Sequence, residues 1–145
     1  MKIIIEDLQP GEEEQIIVKC RQIHPELMRV LNAHKMQRMM LIAYKDSEIH
    51  RINPTDVFYI ESVDDKTFLY CEREVYESKQ KLYELEESLA IGDFLRVSKS
   101  AILNLRKVKS LVPAFSGRLE AILRNDERVP ISRHYVRELK NVLGI

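Results

Sequence analysis

Short apolar runs separated by turn residues fill the sequence from residue 39 onward, and this pattern limits the fold most strongly. Runs of about four to eight residues rich in β-branched and aromatic side chains, bounded by Gly, Pro, Asn, Asp or Ser, are typical of strands in a sandwich or an open barrel. Strands are expected at residues 39–44, 48–52, 56–62, 67–71, 74–76, 94–97, 108–113, 119–123 and 128–131. The pattern predicts a mainly β fold with short helices, α+β overall.

Two later segments have helical spacing instead. Leu82, Leu85 and Leu89 recur three and four positions apart within residues 78–89, which is the spacing of one helix face. A final helix should begin after Ser132, a residue type that caps helix N-termini. Its inner face would be formed by Val136, Leu139, Val142 and Leu143.

The N-terminal residues 1–37 predict a small β-β-α appendage. Two β-branched runs, at residues 1–7 and 15–21, flank a turn at Pro10–Gly11, which indicates a β-hairpin. A unit of under about 40 residues rarely holds a core alone. We therefore expect it to pack against a domain formed by residues 38–145, or against another subunit.

A helix at residues 24–34 completes this appendage. Pro25 suits the first turn of a helix, where its missing N–H is not needed. The expected inner face contains Leu27, Val30, Leu31 and His34. The role of the appendage stays open among dimerisation, binding of a partner protein and completion of the fold.

The formal net charge is zero, but charge is distributed unevenly along the chain. Residues 94–145 carry eleven Lys and Arg against four Asp and Glu, whereas residues 46–93 carry five against thirteen. The basic C-terminal region could gather the phosphates of a nucleic acid if its cations converge in space. It could also pack beside the acidic region, and charge alone favours this second interpretation.

Several function classes have no support in the sequence. The longest apolar run, residues 39–44, is far below the ~20 residues that span a bilayer, and the N-terminus lacks the hydrophobic stretch that directs export. Each of the four glycines stands alone, which excludes the common phosphate-binding loops, and the histidines and cysteines lack metal-ligand spacing. We expect a soluble cytoplasmic protein that is not an enzyme, takes no small-molecule substrate and uses no cofactor or metal.

Three segments share their order and spacing with one protein family. They are DVFYIES at residues 56–62, FLRVSKSAILNL at residues 94–105 and VPISRHY at residues 129–135. Together they resemble the LytTR family of bacterial DNA-binding domains, over about residues 38–145. Each segment alone is a weak signal, whereas three in register are specific. The family usually has a histidine where this chain has Ser98.

The resemblance implies an elongated antiparallel β fold whose loops enter successive major grooves of DNA. The implied base-contacting residues are Lys66, Thr67, Lys99 and Arg133, and the implied phosphate-contacting residues are Arg96, Ser98 and Ser100. Lysine and arginine suit base contact because both can bond guanine O6 and N7, arginine in a fixed bidentate fork. Asn104 is expected to stabilise its local turn through its side chain rather than to contact a base.

These observations lead to the hypothesis of a bacterial, sequence-specific transcriptional regulator that binds double-stranded promoter DNA. Family members generally bind paired sites, so a homodimer formed through the appendage is favoured slightly over a regulatory protein partner. The appendage is too short to be the receiver domain that many relatives carry, so we expect no phosphorelay control. The alternative function is a protein-interaction adaptor whose basic C-terminal region binds an acidic partner.

Overall fold

The computed structural model describes residues 2–145. Within that range the chain forms three α-helices and ten strands. The helices are α1 (Pro25–Arg38), α2 (Leu82–Ser88) and α3 (Arg133–Leu143). The strands are β1 (Leu41–Lys45), β2 (Glu48–Ile52), β3 (Val57–Val63), β4 (Lys66–Cys71), β5 (Val75–Ser78), β6 (Phe94–Ser98), β7 (Ala101–Asn104), β8 (Val108–Pro113), β9 (Leu119–Leu123) and β10 (Arg128–Ile131). The prediction of a mainly β fold with short helices is confirmed.

The strands form two antiparallel sheets. The larger has seven strands in the order β2-β1-β5-β4-β3-β7-β6, and the smaller has the order β10-β9-β8. The β1–β2 and β3–β4 hairpins are closed by the two-residue turns Asp46–Ser47 and Asp64–Asp65, in which all four residues have a positive φ. Two left-handed residues in succession match the right-handed twist of a hairpin. These turns therefore fix the register of both hairpins.

Strand β7 is missing from the strands predicted above, although it lies inside the large sheet between β3 and β6. All four of its residues are buried, so it lacks the alternation of buried and exposed side chains that marks a strand in sequence. A short, fully buried strand cannot be distinguished by periodicity from other apolar runs. The sequence pattern was therefore too short and too uniform to reveal it.

One hydrophobic core lies between the large sheet and the helices α1 and α2. Leu82, Leu85 and Leu89 are buried, as the helical spacing predicts, and they pack with Ile60 and Leu69 of the sheet. The other buried members are Met36, Leu41, Ala43, Val57 and Ile102. Since each fully buried leucine contributes roughly 1.5–3 kcal/mol, this core attaches α2 firmly to the sheet.

A second core joins the large sheet, the small sheet and α3. Its buried members are Phe58, Val97, Ala101, Leu103, Ala121, Leu123, Val129, Ile131 and Leu139. The buried Asn104 closes the end of β7 beside this core: its Nδ2 donates to Val57 O (2.8 Å), and its Oδ1 accepts from Arg106 N (3.1 Å). The expected turn-stabilising role of Asn104 is confirmed.

Helix α1 forms near its predicted position but buries a different face. His24 caps it, because Leu27 N donates to His24 Nδ1 (3.3 Å), and Leu27 is buried as expected. Val30 of the expected face is 59% exposed, whereas Met36 enters the first core. The Met36 methyl lies where a Cβ on Gly92 would overlap it, so the glycine permits this approach. The other two residues of the predicted face, Leu31 and His34, are half-buried and exposed.

The predicted N-terminal hairpin is wrong, because residues 2–24 contain no strand. Met1, which begins the first predicted strand, lies outside the described residues. The turn itself forms: Glu12 N donates to Gln9 O (3.1 Å), and Gly11 has a φ of +87°. The exposed apolar side chains of this segment include Ile3, Ile4, Ile5, Leu8, Ile16 and Ile17. A two-stranded ribbon is marginal in water without a further layer, and none of the described residues supplies that layer.

Candidate nucleic-acid interface

The three segments that resemble the LytTR family meet at one end of the large sheet. The turn Lys99–Ser100, called the Lys99 turn below, joins β6 to β7. The end of β3 lies against it, since Ser62 N donates to Ser100 O (2.8 Å). The start of α3 lies next to β6, since Ser132 N donates to Val97 O (2.8 Å). Backbone hydrogen bonds therefore hold all three segments around the Lys99 turn.

The Lys99 turn leaves polar groups accessible. Lys99 and Ser100 are exposed, and the preceding Ser98 is half-buried. Ser98 Oγ accepts a hydrogen bond from Ser100 N (3.2 Å) and lies 3.4 Å from Ser100 Oγ. In the contact between the two hydroxyls either one can be the donor. The turn thus exposes one ammonium group and two hydroxyl groups close together.

Arg96 points into the same turn, where its guanidinium donates within the protein. Its Nε donates to Ser98 O (2.7 Å), its Nη2 donates to Lys99 O, and its Nη1 donates to Glu86 Oε2 (3.0 Å). The Arg96 side chain is 22% exposed. All three guanidinium nitrogens are therefore engaged, which does not fit the free phosphate-contacting side chain implied by the resemblance.

Arg133 is the first residue of α3 and is exposed. The tight turn before β9 lies against its aliphatic stem, because a Cβ added to Gly117 would be 3.7 Å from Arg133 Cδ. Gly117 has a φ of +73°, and the preceding Ser116 has a φ of +59°. This turn brings Arg118 to the same surface, where a groove of about 260 Å³ is lined by Ser116, Arg118, Ser132, Arg133 and His134.

The β3–β4 hairpin places only one of its two predicted base-contacting residues at the surface. Lys66 is exposed and follows directly after the Asp64–Asp65 turn. The side chain of Thr67 is buried, with 3% of the residue exposed. Successive strand residues point to opposite faces, and Thr67 shares the inward face with Leu69. The predicted base contact of Thr67 is therefore contradicted by its burial.

The cations of the basic C-terminal region fall into two groups. Four are held in ion pairs: Arg96 with Glu86, Arg106 with Asp93, Lys109 with Asp126, and Arg128 with Glu120. Among residues 2–145 no ion pair includes any of the other seven, which are Lys99, Lys107, Arg118, Arg124, Arg133, Arg137 and Lys140. Since two of the pairs use the acidic region, internal pairing explains part of the charge asymmetry. The cations without ion pairs include four that line the two grooves beside α3, where they are available to bind anions.

Three of these unpaired cations extend the interface along α3. Arg133, Arg137 and Lys140 line a second groove of about 420 Å³, together with Gly117, Val136, Asn141 and Ile145. Spacings of three and four residues place them on neighbouring turns of one helix face. Of these three residues only Arg133 was predicted from the sequence, because the ion-pair partners of Arg137 and Lys140 depend on how β9 and α3 meet. The spacing of Arg133, Arg137 and Lys140 on the final helix could have predicted that they share one face.

A pair of tyrosines on β3 and β4 stabilises the large sheet. The rings of Tyr59 and Tyr70 stack with their centroids 4.2 Å apart and an angle of 6° between planes. Burial raises the pKa of both hydroxyls; Glu127 adds to this effect at Tyr59, and Glu61 adds to it at Tyr70. Both hydroxyls therefore stay protonated and neutral at physiological pH. Their role is structural.

Comparison with protein families gives the class of the fold. The family described as the LytTr DNA-binding domain matches residues 47–144. A solved structure, the LytTr DNA-binding domain of a protein described as a methyl-accepting/DNA response regulator from Bacillus cereus, superposes with a TM-score of 0.71. The two share 26% sequence identity, and the match covers 74% of this chain and 99% of that one. The fold is thus that of a DNA-binding domain.

Curated relatives agree with this class. The sensory transduction protein LytT of Enterococcus faecalis is 28% identical over 142 residues, which is 95% of this chain and 59% of that protein. An uncharacterized HTH-type transcriptional regulator of Staphylococcus aureus is 31% identical over 105 residues, which is 72% of this chain and 71% of the relative. The chain belongs to the LytTR family of DNA-binding domains. This confirms the family indicated by the three sequence segments, and it is a family defined by DNA binding rather than by catalysis.

The match to the LytT relatives covers only part of their length. The chain spans about three fifths of the length of the LytT relatives that it matches. Across residues 2–145, none of the helices has both the length and the apolar character needed to cross a membrane.

Proposed function

We propose that this chain is a sequence-specific transcriptional regulator that inserts the Lys99 turn and the start of α3 into the major groove of promoter DNA. The observation that carries the proposal is the convergence of the three family segments around that turn, with Lys99 and Arg133 exposed. Neither side chain takes part in an ion pair among the described residues. Two free cations at adjoining positions can approach the acceptor groups of base edges.

Arg133 is proposed as the main base-contacting residue. Its guanidinium can bond guanine O6 and N7 together, and a good bidentate pair is worth about 1–3 kcal/mol of discrimination. The turn at Gly117 lies near its aliphatic stem, since a Cβ added there would be 3.7 Å from Arg133 Cδ. Lys99 is proposed to reach the same kind of acceptor as a point charge, with less geometric selectivity.

Lys66 is proposed as a third, weaker base-contacting residue. It lies in the neighbouring hairpin, but Asp64 and Asp65 precede it directly, and their carboxylates repel phosphates. Ser98 and Ser100 are proposed to donate from their hydroxyls to phosphate oxygens at the edge of the groove. Together these contacts would fix the register of the Lys99 turn on the duplex.

Three other unpaired cations are proposed to bind the phosphate backbone. Arg118, Arg137 and Lys140 flank Arg133 in the two grooves beside α3. Each phosphate contact releases counterions, so the logarithm of the affinity should fall by about 0.9 per contact for each tenfold rise in salt. A regulator with several such contacts therefore binds strongly only at moderate ionic strength.

Transcription regulation in the bacterial cytoplasm is part of the proposal. It is supported by the family, by the name of the Staphylococcus aureus relative, which is a transcriptional regulator, and by the name of the LytT relatives, which take part in sensory transduction. DNA readout of this kind needs no metal or cofactor, so none is included.

We further propose that the chain acts as a homodimer through its N-terminal segment. Residues 2–24 expose at least eight large apolar side chains, and α1 exposes Met28 and Val30 as well. Contiguous exposed apolar surface is typical of interaction sites. A second copy of the chain would bury these apolar side chains. It would also place two DNA-binding domains on paired DNA sites, which raises the overall affinity. A regulatory protein is the alternative occupant of the same surface.

The adaptor hypothesis predicts a different behaviour. An acidic protein could bind the grooves beside α3, since Arg133, Arg137 and Lys140 recognise carboxylates as well as phosphates. Such a surface would bind all DNA duplexes alike. Selectivity among duplexes therefore separates the two functions.

The test is selection of duplexes from a random-sequence pool by the wild-type protein, followed by competition of the selected duplex against random duplex. A regulator should prefer the selected duplex by about 10³-fold or more. It should also lose affinity steeply between 50 and 200 mM salt, a range over which several phosphate contacts cost about 10³-fold or more. Equal affinity for both duplexes, or a flat salt dependence, would reject the proposal and favour the adaptor.

A further inference from the structure

Arg96 and Glu86 form a link between α2 and the Lys99 turn. Arg96 donates to the backbone carbonyls of Ser98 and Lys99, which belong to the two peptide groups on either side of the Lys99 Cα. Glu86 accepts from the third guanidinium nitrogen, at 3.0 Å. The planar guanidinium is thereby held by partners on three sides, which its rigid fork of donors permits.

The Lys99 turn lacks the backbone geometry that stabilises the other short hairpin turns. In the turns Asp46–Ser47 and Asp64–Asp65 both residues have a positive φ, whereas neither residue of the Lys99 turn does. Two-residue turns without left-handed residues splay the strands that they connect. The β6–β7 register also shifts between Arg96 and Ser98. Strand pairing alone therefore fixes this turn less well than it fixes the others.

The position of Glu86 connects this turn to the hydrophobic core. Glu86 follows Leu85, which is fully buried, and α2 is attached to the sheet through Leu82 and Leu89 as well. The carboxylate is therefore presented from a fixed helix. Through Arg96 it restrains the carbonyls of Ser98 and Lys99, whereas the bonds from Ser62 N and to Ser98 Oγ hold only Ser100.

We propose that Arg96 is a positioning residue for DNA recognition: with Glu86 it holds the Lys99 turn in the conformation that presents Lys99 to a base, and it does not itself contact DNA. The inference rests on the proposed DNA-binding function and adds a role to two residues that lie behind the interface. A direct phosphate contact by Arg96 is the competing explanation.

The variant Glu86→Ala separates the two explanations by the sign of its effect. Removing a carboxylate near a DNA interface lowers the repulsion of phosphates, so electrostatics alone predicts stronger binding to every duplex. Positioning predicts about five- to tenfold weaker binding to the duplex selected by the wild-type protein, because the Lys99 turn loses a restraint. Affinity for random duplex should stay level or rise. Stronger binding to the selected duplex would overturn the proposal.

Conservative variants supply the rescue. In Glu86→Gln the amide oxygen can still accept from Arg96, so selective affinity should recover most of the loss. Arg96→Lys keeps the charge but cannot bond three partners in one plane, so selective affinity should fall while the salt slope stays that of the wild type. A fall in the salt slope by about one contact in Arg96→Ala, with affinity restored by Arg96→Lys, would instead identify a phosphate contact.

A measurement without DNA tests the turn directly. NMR order parameters of the Lys99 and Ser100 amides should fall in Glu86→Ala and Arg96→Lys, because motion of the turn on the nanosecond scale increases. The matched control is Asp93→Ala, which breaks the Arg106–Asp93 pair beyond the other end of β7 and should leave these amides unchanged. Unchanged order parameters in Glu86→Ala would overturn the positioning role. If the wild-type protein does not discriminate between duplexes, the proposed function fails, and the order parameters still decide whether Arg96 and Glu86 order the turn.

Discussion

The side chain of Asn104 forms hydrogen bonds to two separate parts of the backbone. Its side chain is buried, with its amide donating to the start of β3 and its oxygen accepting from the backbone N–H of Arg106. A buried polar group stabilises a fold only while both its donor and its acceptor are satisfied. The sequence indicated a local role for Asn104, and the contact with β3, 47 positions away in sequence, depends on the sheet order.

Asn104→Ala should lower the free energy of unfolding by about 2–3 kcal/mol, because it leaves the buried Val57 carbonyl and the Arg106 amide without partners. Asn104→Asp keeps the acceptor for Arg106 but buries a carboxylate against the Val57 carbonyl oxygen, so at neutral pH it should lower the free energy of unfolding at least as much. Urea titrations of the three proteins measure the effect. A loss below about 0.5 kcal/mol in Asn104→Ala would mean that water replaces both partners.

The two cysteines should differ in reactivity. Burial raises the pKa of the Cys71 thiol to about 11, so very little thiolate is present at pH 8, whereas Cys20 is exposed. Because the thiolate is the nucleophile, we expect one fast and one slow reaction with an aromatic disulfide reagent in the native protein. Urea should make both fast, and Cys20→Ser should remove the fast phase. A single fast phase with two equivalents in the native protein would contradict the burial of Cys71.

Among the elements, those with a visible periodicity or a strong turn signal were predictable. Helix α2 and most strands follow their apolar pattern, whereas β7 is fully buried and has no alternation. The face of α1 was mispredicted because Met36 reaches the core only where Gly92 leaves room for it, a contact between distant segments. The N-terminal strands failed because pairing needs a covering layer as well as β-branched residues.

In the candidate site, too, features with a local sequence signal were predictable, whereas those that depend on contacts between distant segments were not. Lys99 and Arg133 could be proposed from the sequence because they lie in family segments, and both residues are exposed. Thr67 was misassigned because it lies one residue inside β4, where alternation turns its side chain inward. Arg118 joins the surface only through the turn at Ser116–Gly117, which packs on Arg133. No single segment of the sequence contains that arrangement.

Turn geometry gives a prediction at the scale of one hairpin. Asp65 has a φ of +62°, a conformation that β-branched residues adopt only with strain. Asp65→Val should therefore lower the free energy of unfolding by about 1–2 kcal/mol, whereas Asp65→Gly should not lower it, because glycine is the preferred residue at this position of the turn. Thermal unfolding of both variants checks this. Equal stability of the valine and glycine variants would contradict the left-handed turn.

At the scale of the whole molecule, the chain divides into a packed body and an exposed N-terminal segment. The body contains both cores and the interface, whereas residues 2–24 are exposed throughout. An acidic region and a basic region also share this body, and ion pairs such as Arg96 with Glu86 join them. Arg118, Arg133, Arg137 and Lys140, which form no ion pair among the described residues, line the grooves proposed to bind DNA.

Removal of residues 1–23 should separate self-association from folding. Because residues 2–23 are exposed and belong to neither core, the truncated protein should keep its melting temperature at low concentration, while light scattering should change from dimer to monomer. The affinity of the truncated protein for a duplex with one selected site should change little. Its affinity for paired sites should fall by about 10²-fold or more, because two domains that are no longer joined bind the two sites independently. The same oligomeric state in both proteins would contradict the dimerisation proposal.

The most direct test of the central claim compares Arg133→Ala with Arg106→Ala. Arg106 is the matched control, since it lies beyond the end of β7 that is remote from the Lys99 turn. Binding to the selected duplex should weaken by about 1–3 kcal/mol in Arg133→Ala, with relaxed preference at one base position and little change on random duplex, whereas Arg106→Ala should leave selectivity unchanged. Equal losses on selected and random duplexes in Arg133→Ala, with the melting temperature intact, would contradict base recognition by Arg133.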